Sequence, residues 1–429
     1  MATAHRDSVF ANHNFRLLFG GSTISMLGDQ FTLVALPWLV LKLTGNPAAL
    51  GLVLAAMALP RALFMLIGGA LVDRLSPRRV LLAARGVNAL LVALLAALVL
   101  LGDIRMWLVY LIALGIGLST AFAYPAGSAI LPQLVRKDQL QPANALVMGM
   151  RQLSMFVGPA LAGVVISVGT HGAQPQAMQD AEGLGLAFAV DAVSFAFSLA
   201  SLLLIRVHSD FDPKPAAGGV LANVASGVRM IWADLPLRAF ILYAAVVSVF
   251  VGGPIQVGLP VLADTRLDLG AASLGILMTA NGGGMLLGGL VSGRVARWVR
   301  GQLGAMILCF DASVGLALVA LAGVHSTVLA AALLGLTGLL GGVIQITLIS
   351  WIQRRVAPNM LGRTMSVLMF TFLGLGPLAA AGAGALLKLM SLPGLFVASG
   401  LALTTIALGC LTSPALRGIR SQDAAPQTG

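Results

Sequence analysis

Charge is scarce in this 429-residue chain: Asp, Glu, Lys and Arg together make up 10% of it, with 15 acids against 26 Lys and Arg. A soluble domain carries about 25% charged residues, so a chain this poor in them does not belong to that class. Cysteine is nearly absent. Cys309 and Cys410 both fall in apolar runs, which leaves no disulfide framework and no metal site. The five histidines (His5, His13, His171, His208, His325) fall in termini or loops, so no histidine proton relay crosses the apolar part. A membrane protease or acyltransferase would want such a histidine or an activated nucleophile within the membrane, and no enzyme is expected. No P-loop is present, which removes ATP as the energy source. A receptor's large soluble domain is also lacking, and no cofactor is called for.

What the chain has is apolar sequence: 58% hydrophobic residues and a mean hydropathy of +0.96. Read at about 20 apolar residues per crossing, the runs fall near 17–40, 48–71, 80–102, 106–131, 145–168, 184–205, 238–262, 270–292, 303–323, 327–351, 364–387 and 393–412. They predict an all-α membrane protein of about twelve helices. The first run is too long for a signal-peptide core and is read as a retained helix. The net charge of +11 does not point to nucleic acid, because the basic residues are dispersed. With both termini cytoplasmic, 20 Lys and Arg fall at cytoplasmic ends and loops, four outside (Lys42, Arg105, Arg266, Lys388) and two inside helices (Arg61, Arg151). That alternation is the positive-inside pattern.

The chain repeats itself. GGALVDR at 68–74 returns as GGLVSGR at 288–294, an offset of 220, and Gly158-Pro159 returns as Gly376-Pro377, an offset of 218. Gly293 stands where the first copy has Asp73. Two related six-helix halves follow: residues 1–207 and 237–429. Between them, 208–236 reads as a cytoplasmic linker. Its apolar stripe Val220, Leu221, Val224, Val228, Ile231 and Trp232 suits an amphipathic surface helix.

Polar residues inside the spans are the candidates for function. In helix 1, Ser22, Ser25, Asp29 and Thr32 recur at three- and four-residue spacing and share a face. Asp29 lies about 18 Å into the helix at 1.5 Å per residue, near the bilayer centre. Arg61 reaches a similar depth in helix 2, and the short connection from Thr44 to Pro47 allows the two to meet. An intramembrane arginine costs about 2.5–3.5 kcal/mol on insertion scales and calls for a partner. Two readings stay open for the pair: a salt bridge that fixes packing, or a protonatable centre in a transport path. Arg151, about 9 Å into helix 5, either snorkels or joins that centre. Asp191 and Asp311 read as structural acids, the second with no identifiable partner. Helix 3 reads as plain, aliphatic packing. Ser25, Gln256, Asn281 and Gln345 are candidates to line a cavity, with helix-to-helix hydrogen bonding the alternative. Gly284 and Gly288 carry a GxxxG packing signal.

These residues carry a resemblance. GGALVDRLSPRR resembles the loop signature of the major facilitator superfamily between helices 2 and 3, with Gly69, Asp73, Arg74, Arg78 and Arg79 on its key positions. SMFVGPALAG resembles that superfamily's helix 5 antiporter motif at Gly158, Pro159 and Gly163. NFRLLFGGSTISMLGDQ, ALPWLVLKLTG, LPQLVRKDQLQPANAL and FAVDAVSF are similar to the twelve-helix drug:proton antiporters that include macrolide-efflux and enterobactin-export proteins.

The resemblance implies two rocking bundles around a central cavity in a bacterial inner membrane. It implies a cytoplasmic gate latched by Asp73 and the arginines after it, and a monomer whose partners are a small-molecule substrate, protons and lipid. On this reading Asp29, tuned by Arg61 and Arg151, exchanges a proton for a hydrophobic drug-like compound such as a macrolide. Export of a siderophore or other metabolite, or proton-coupled uptake, is the alternative. One acid against one or two arginines leaves the centre neutral to positive, which suits an apolar or anionic substrate.

Overall fold

The computed structural model describes residues 8–74, 76–168, 176–206, 228–299, 302–356, 358–417 and 419. Twelve long helical segments follow one another: α1 (His13–Thr44), α2 (Pro47–Arg74), α3 (Pro77–Leu100), α4 (Met106–Leu134), α5 (Leu140–Val168), α6 (Gln176–Leu204), α7 (Leu235–Arg266), α8 (Ala271–Trp298), α9 (Leu303–Leu321), α10 (Thr327–Arg355), α11 (Pro358–Leu386) and α12 (Leu392–Cys410). Among the described residues eleven are long and apolar enough to cross a membrane, and α11 is apolar over Gly374–Leu386. The protein is an all-α, multi-pass membrane protein.

Local sequence sets the helix ends. Asp234 caps α7 by accepting from Leu237 N at 3.1 Å, and Ser391 caps α12 by accepting from Gly394 N at 3.3 Å; each is followed within two residues by a proline whose missing N–H costs nothing there. Gly45 and Gly102, at φ 57° and 75°, turn the chain between α1 and α2 and between α3 and α4. Inside α7 the Gly252-Gly253-Pro254 run opens the helix into π-type turns at Ser248–Gly252 and Pro254–Gly258. Proline removes one backbone donor, and a wider turn re-registers the carbonyls around it.

The chain gathers into two compact units. The first holds residues 1–36 and 60–217, and the second 37–59 and 218–429. The last turns of α1 and the first half of α2 therefore group with the second unit. Small residues explain it: a Cβ on Gly51 would stand 2.7 Å from the Ala380 carbonyl oxygen, and one on Gly384 would stand 2.6 Å from that of Pro47. Lys42 at the end of α1 also pairs with Asp264 at 3.0 Å. Of the predicted linker, residues 208–227 lie outside the described residues; 228–233 is helical, with Ile231 buried and Trp232 exposed.

In the first unit, α1 runs against α6 through Gly21 and Gly28, whose missing side chains admit Ser201 and Ser194. In the second, α8 and α10 interlock backbone to backbone: a Cβ on Gly284 would be 2.1 Å from the Gly335 carbonyl oxygen, and one on Gly338 would be 2.1 Å from that of Asn281. Lipid offers no hydrophobic drive for helix association, so such close van der Waals approach is the main cohesion available. The GxxxG signal of Gly284 and Gly288 thus falls on a helix contact. At one end of this unit Arg355 of α10 holds Asp234 with two hydrogen bonds, 2.8 and 3.1 Å long.

Candidate functional site

The first unit gathers charge at membrane depth. The four polar residues of α1 divide into two adjacent stripes. Ser25 and Thr32 lie with Gly21 and Gly28 on the α6 side and are buried, 4% and 8% exposed. Thr32 Oγ1 donates to Asp191 Oδ2 of α6, and Ser194 Oγ donates to Asp191 Oδ1 at 3.2 Å. Ser25 therefore does not line a cavity as expected; it occupies the small-residue seam between two helices. Asp191 has the structural place read for it.

The other stripe, Ser22 and Asp29, is seven residues apart and so two turns along one face. Asp29 is exposed. The charges acting on its carboxylate are, in falling order of strength, Arg85, Arg151 and Arg61. Among the described residues none comes within ion-pair distance of it. Arg61 and Asp29 thus share a field without forming the direct pair that the short loop allowed.

Each arginine is held from a different helix. Arg85 in α3 donates through Nη2 to Ser22 Oγ at 3.1 Å, while its Nη1 is buried with no acceptor among the described residues. Arg61 in α2 is half-buried, and its Nε likewise has no acceptor among them. Arg151 in α5 donates through Nη1 to Tyr124 Oη of α4 and sits 5.2 Å from the centre of that ring. Arg61 interacts in turn with Tyr124, Arg151 and Asp29.

Arg85 is the residue that sequence reasoning missed. It was assigned to the cytoplasmic end of helix 3, in a helix described as plain and aliphatic. Ser76 followed by Pro77 is a helix-start signal, and counting from Pro77 places Arg85 about 12 Å into the helix.

The loop signature is only partly visible. Gly69, Asp73 and Arg74 fall in the last turns of α2, and their side chains lie outside the described residues. Arg78 donates to the carbonyls of Leu202 and Leu203, at 3.2 and 2.9 Å, satisfying the open end of α6. Arg79 is exposed. In α5, a Cβ on Gly158 would stand 2.4 Å from Gln30 Cγ, so this glycine lets α5 pass α1 beside Asp29. Pro159 and Gly163 are buried.

In the second unit Asn281 is half-buried and donates to the Leu334 carbonyl at 3.3 Å, so it joins α8 to α10 rather than facing open space. Gln256 and Gln345 are exposed. Asp311, for which no partner was expected, accepts from Tyr243 Oη at 2.9 Å.

A polytopic helical fold that keeps an acid and three arginines within its apolar helices has the charged interior that marks an ion or substrate path. The chain belongs to the Major Facilitator Superfamily, whose family model matches residues 18–381. It is 27% identical over 410 residues to the multidrug efflux pump Tap of Mycolicibacterium fortuitum, covering 94% of this chain and 95% of that one. It is 25% identical over 350 residues to the enterobactin exporter EntS of Salmonella choleraesuis (strain SC-B67), covering 81% and 80%. Among solved structures, a variant of the nucleoside transporter NupG superposes with a TM-score of 0.74 at 11% identity, over 92% of this chain and 99% of that one. A bacterial homologue of the human drug peptide transporters PepT1 and PepT2 gives 0.65 at 15% identity, over 93% and 98%. Likeness at that identity establishes the fold alone.

Proposed function

We propose that this chain is a monomeric, proton-coupled exporter of a hydrophobic, drug-like small molecule such as a macrolide. It works by alternating access of the bundles 1–207 and 237–429 in a bacterial inner membrane, with both termini cytoplasmic. Asp29 carries the proton. The observation behind this reading is an exposed carboxylate at membrane depth, acted on by three arginines yet ion-paired with none of them. A carboxylate bound fast in a salt bridge holds its charge; one that is only near its counter-charges can gain or lose a proton as water enters or leaves. Asp73 and the arginines Arg74, Arg78 and Arg79 form the cytoplasmic latch, and Gly158, Pro159 and Gly163 give α5 the slack to move past α1. Relatives named as a multidrug efflux pump and an enterobactin exporter support the outward direction.

The test is macrolide efflux from proteoliposomes under an imposed pH gradient. Wild type is expected to respond to the gradient, and Asp29→Asn to lose that response while still carrying substrate down its own gradient. Gradient-driven efflux that survives in Asp29→Asn would overturn the assignment. A second reading, export of an acidic metabolite or siderophore, is favoured by the arginine surplus.

A further inference from the structure

Three arginines, Arg85, Arg151 and Arg61, act on one available carboxylate, that of Asp29, in the first unit. The other acid nearby, Asp191, is 1% exposed, and its two oxygens are already engaged by Thr32 and Ser194. Asp29 pairs with none of the arginines. The surplus is positive whether or not Asp191 is ionised. Arg61 Nε and Arg85 Nη1 are both buried and without acceptors among the described residues. A buried donor left unmade is costly, and more so when it is charged. Arginine has no acceptor and does not lose its proton, so these two cannot satisfy each other or become neutral. One turn along α3, Asn88 Oδ1 is a buried acceptor that is itself unpartnered, so it does not meet the need.

The chemistry that fits is a planar anion. A carboxylate presents two oxygens to a guanidinium fork, and charge-assisted bonds of this kind are about twice as strong as neutral ones. Tyr124, 42% exposed beneath the Arg151 guanidinium, adds an aromatic face beside the charges. We propose that Arg61 and Arg85, flanked by Arg151 and Tyr124, form the subsite for the acidic group of the transported molecule, so that the substrate is an amphipathic organic acid. This rests on the reading of the Asp29 face as the substrate path and, of the two substrate readings above, takes the acidic one. Arg85 is the determinant of specificity, since Ser22 holds one of its arms and leaves the other free.

The experiment measures binding of 1-pyrenebutyrate, its primary amide and 1-pyrenebutylamine to the full-length protein in phosphatidylcholine nanodiscs, with no gradient imposed. Wild type is expected to bind the carboxylate at least tenfold more tightly than the amide, and the amine most weakly. Arg85→Gln and Arg61→Gln should each reduce the carboxylate preference to within about threefold while leaving amide affinity unchanged. Arg85→Lys, which keeps the charge but lacks the fork, should retain an intermediate preference and guards against a folding defect in the glutamine variant.

Equal affinity for carboxylate and amide in wild type, no binding of the carboxylate, or an undiminished preference in both glutamine variants would overturn the proposal. Loss of carboxylate binding when phosphatidylglycerol is added would assign the arginines to a lipid headgroup instead and equally overturn it. Because no gradient is used, a failed proton test at Asp29 leaves this result standing, and a failed preference here leaves Asp29-coupled transport of neutral compounds standing.

Discussion

Arg355 at the end of α10 grips Asp234, the N-cap of α7, through Nε and Nη2 at 2.8 and 3.1 Å. The two side chains are 13% and 16% exposed, so little water screens them, and the same carboxylate also accepts from Leu237 N. In the first unit the comparable join is neutral: Asn12 Nδ2 donates to the Leu134 carbonyl at the end of α4. The second unit thus anchors the start of its bundle with a charge-assisted fork.

That geometry predicts an asymmetric response. Arg355→Gln leaves a largely buried carboxylate with one partner fewer and is expected to destabilise by about 2–4 kcal/mol. Arg355→Lys keeps the charge but only one of the two bonds and should cost about half as much. Apparent melting temperatures of the purified protein in detergent would rank the three; a lysine variant as unstable as the glutamine one would show that the fork geometry, not the charge, holds the helices.

Thr32 makes a second, sharper case. Its hydroxyl is the donor that α1 gives to the buried Asp191 of α6. Thr32→Val keeps the shape and removes the donor, stranding an acceptor in a dry seam at a cost of about 1–3 kcal/mol. Thr32→Ser restores the donor and is expected to melt near wild type. If valine and serine behave alike, the bond contributes nothing to stability and Asp191 is held by Ser194 alone.

The fold was legible because lipid demands it: about 20 apolar residues per crossing and basic residues between crossings leave few other ways to read the chain. The site was legible only in part. Asp29, Arg61 and Arg151 stood out as charges within apolar runs, but Arg85 did not, because the helix start was placed three residues late, at 80 instead of Pro77. That shift left an intramembrane arginine looking like part of the cytoplasmic end of its helix. Ser25 was misplaced for a different reason. Three- and four-residue spacing gathers side chains on one side of a helix, yet it does not say which neighbour covers which part of that side, and α6 covers Ser25. The partner of Asp311 lies 68 residues away in a tyrosine with no charge to flag it. The π-type turns of α7 were likewise unforeseen, although Gly252, Gly253 and Pro254 mark where they form.

Two glycines three residues apart in α10 offer the cleanest test of how the second unit coheres. A Cβ on Gly338 would lie 2.1 Å from the Asn281 carbonyl oxygen of α8, whereas one on Gly341 would meet nothing within 4 Å. Alanine improves helix propensity over glycine by about 1 kcal/mol wherever space permits. Gly341→Ala is therefore expected to be neutral or to raise the melting temperature. Gly338→Ala must push α8 away along a seam of backbone contacts that also includes Gly284 and Gly342, and is expected to cost about 1–3 kcal/mol by overpacking. The same substitution should thus act with opposite sign one turn apart. Equal effects at the two positions would mean that α8 and α10 are not held at backbone contact in the membrane, and the cohesion of this unit would have to come from its larger side chains.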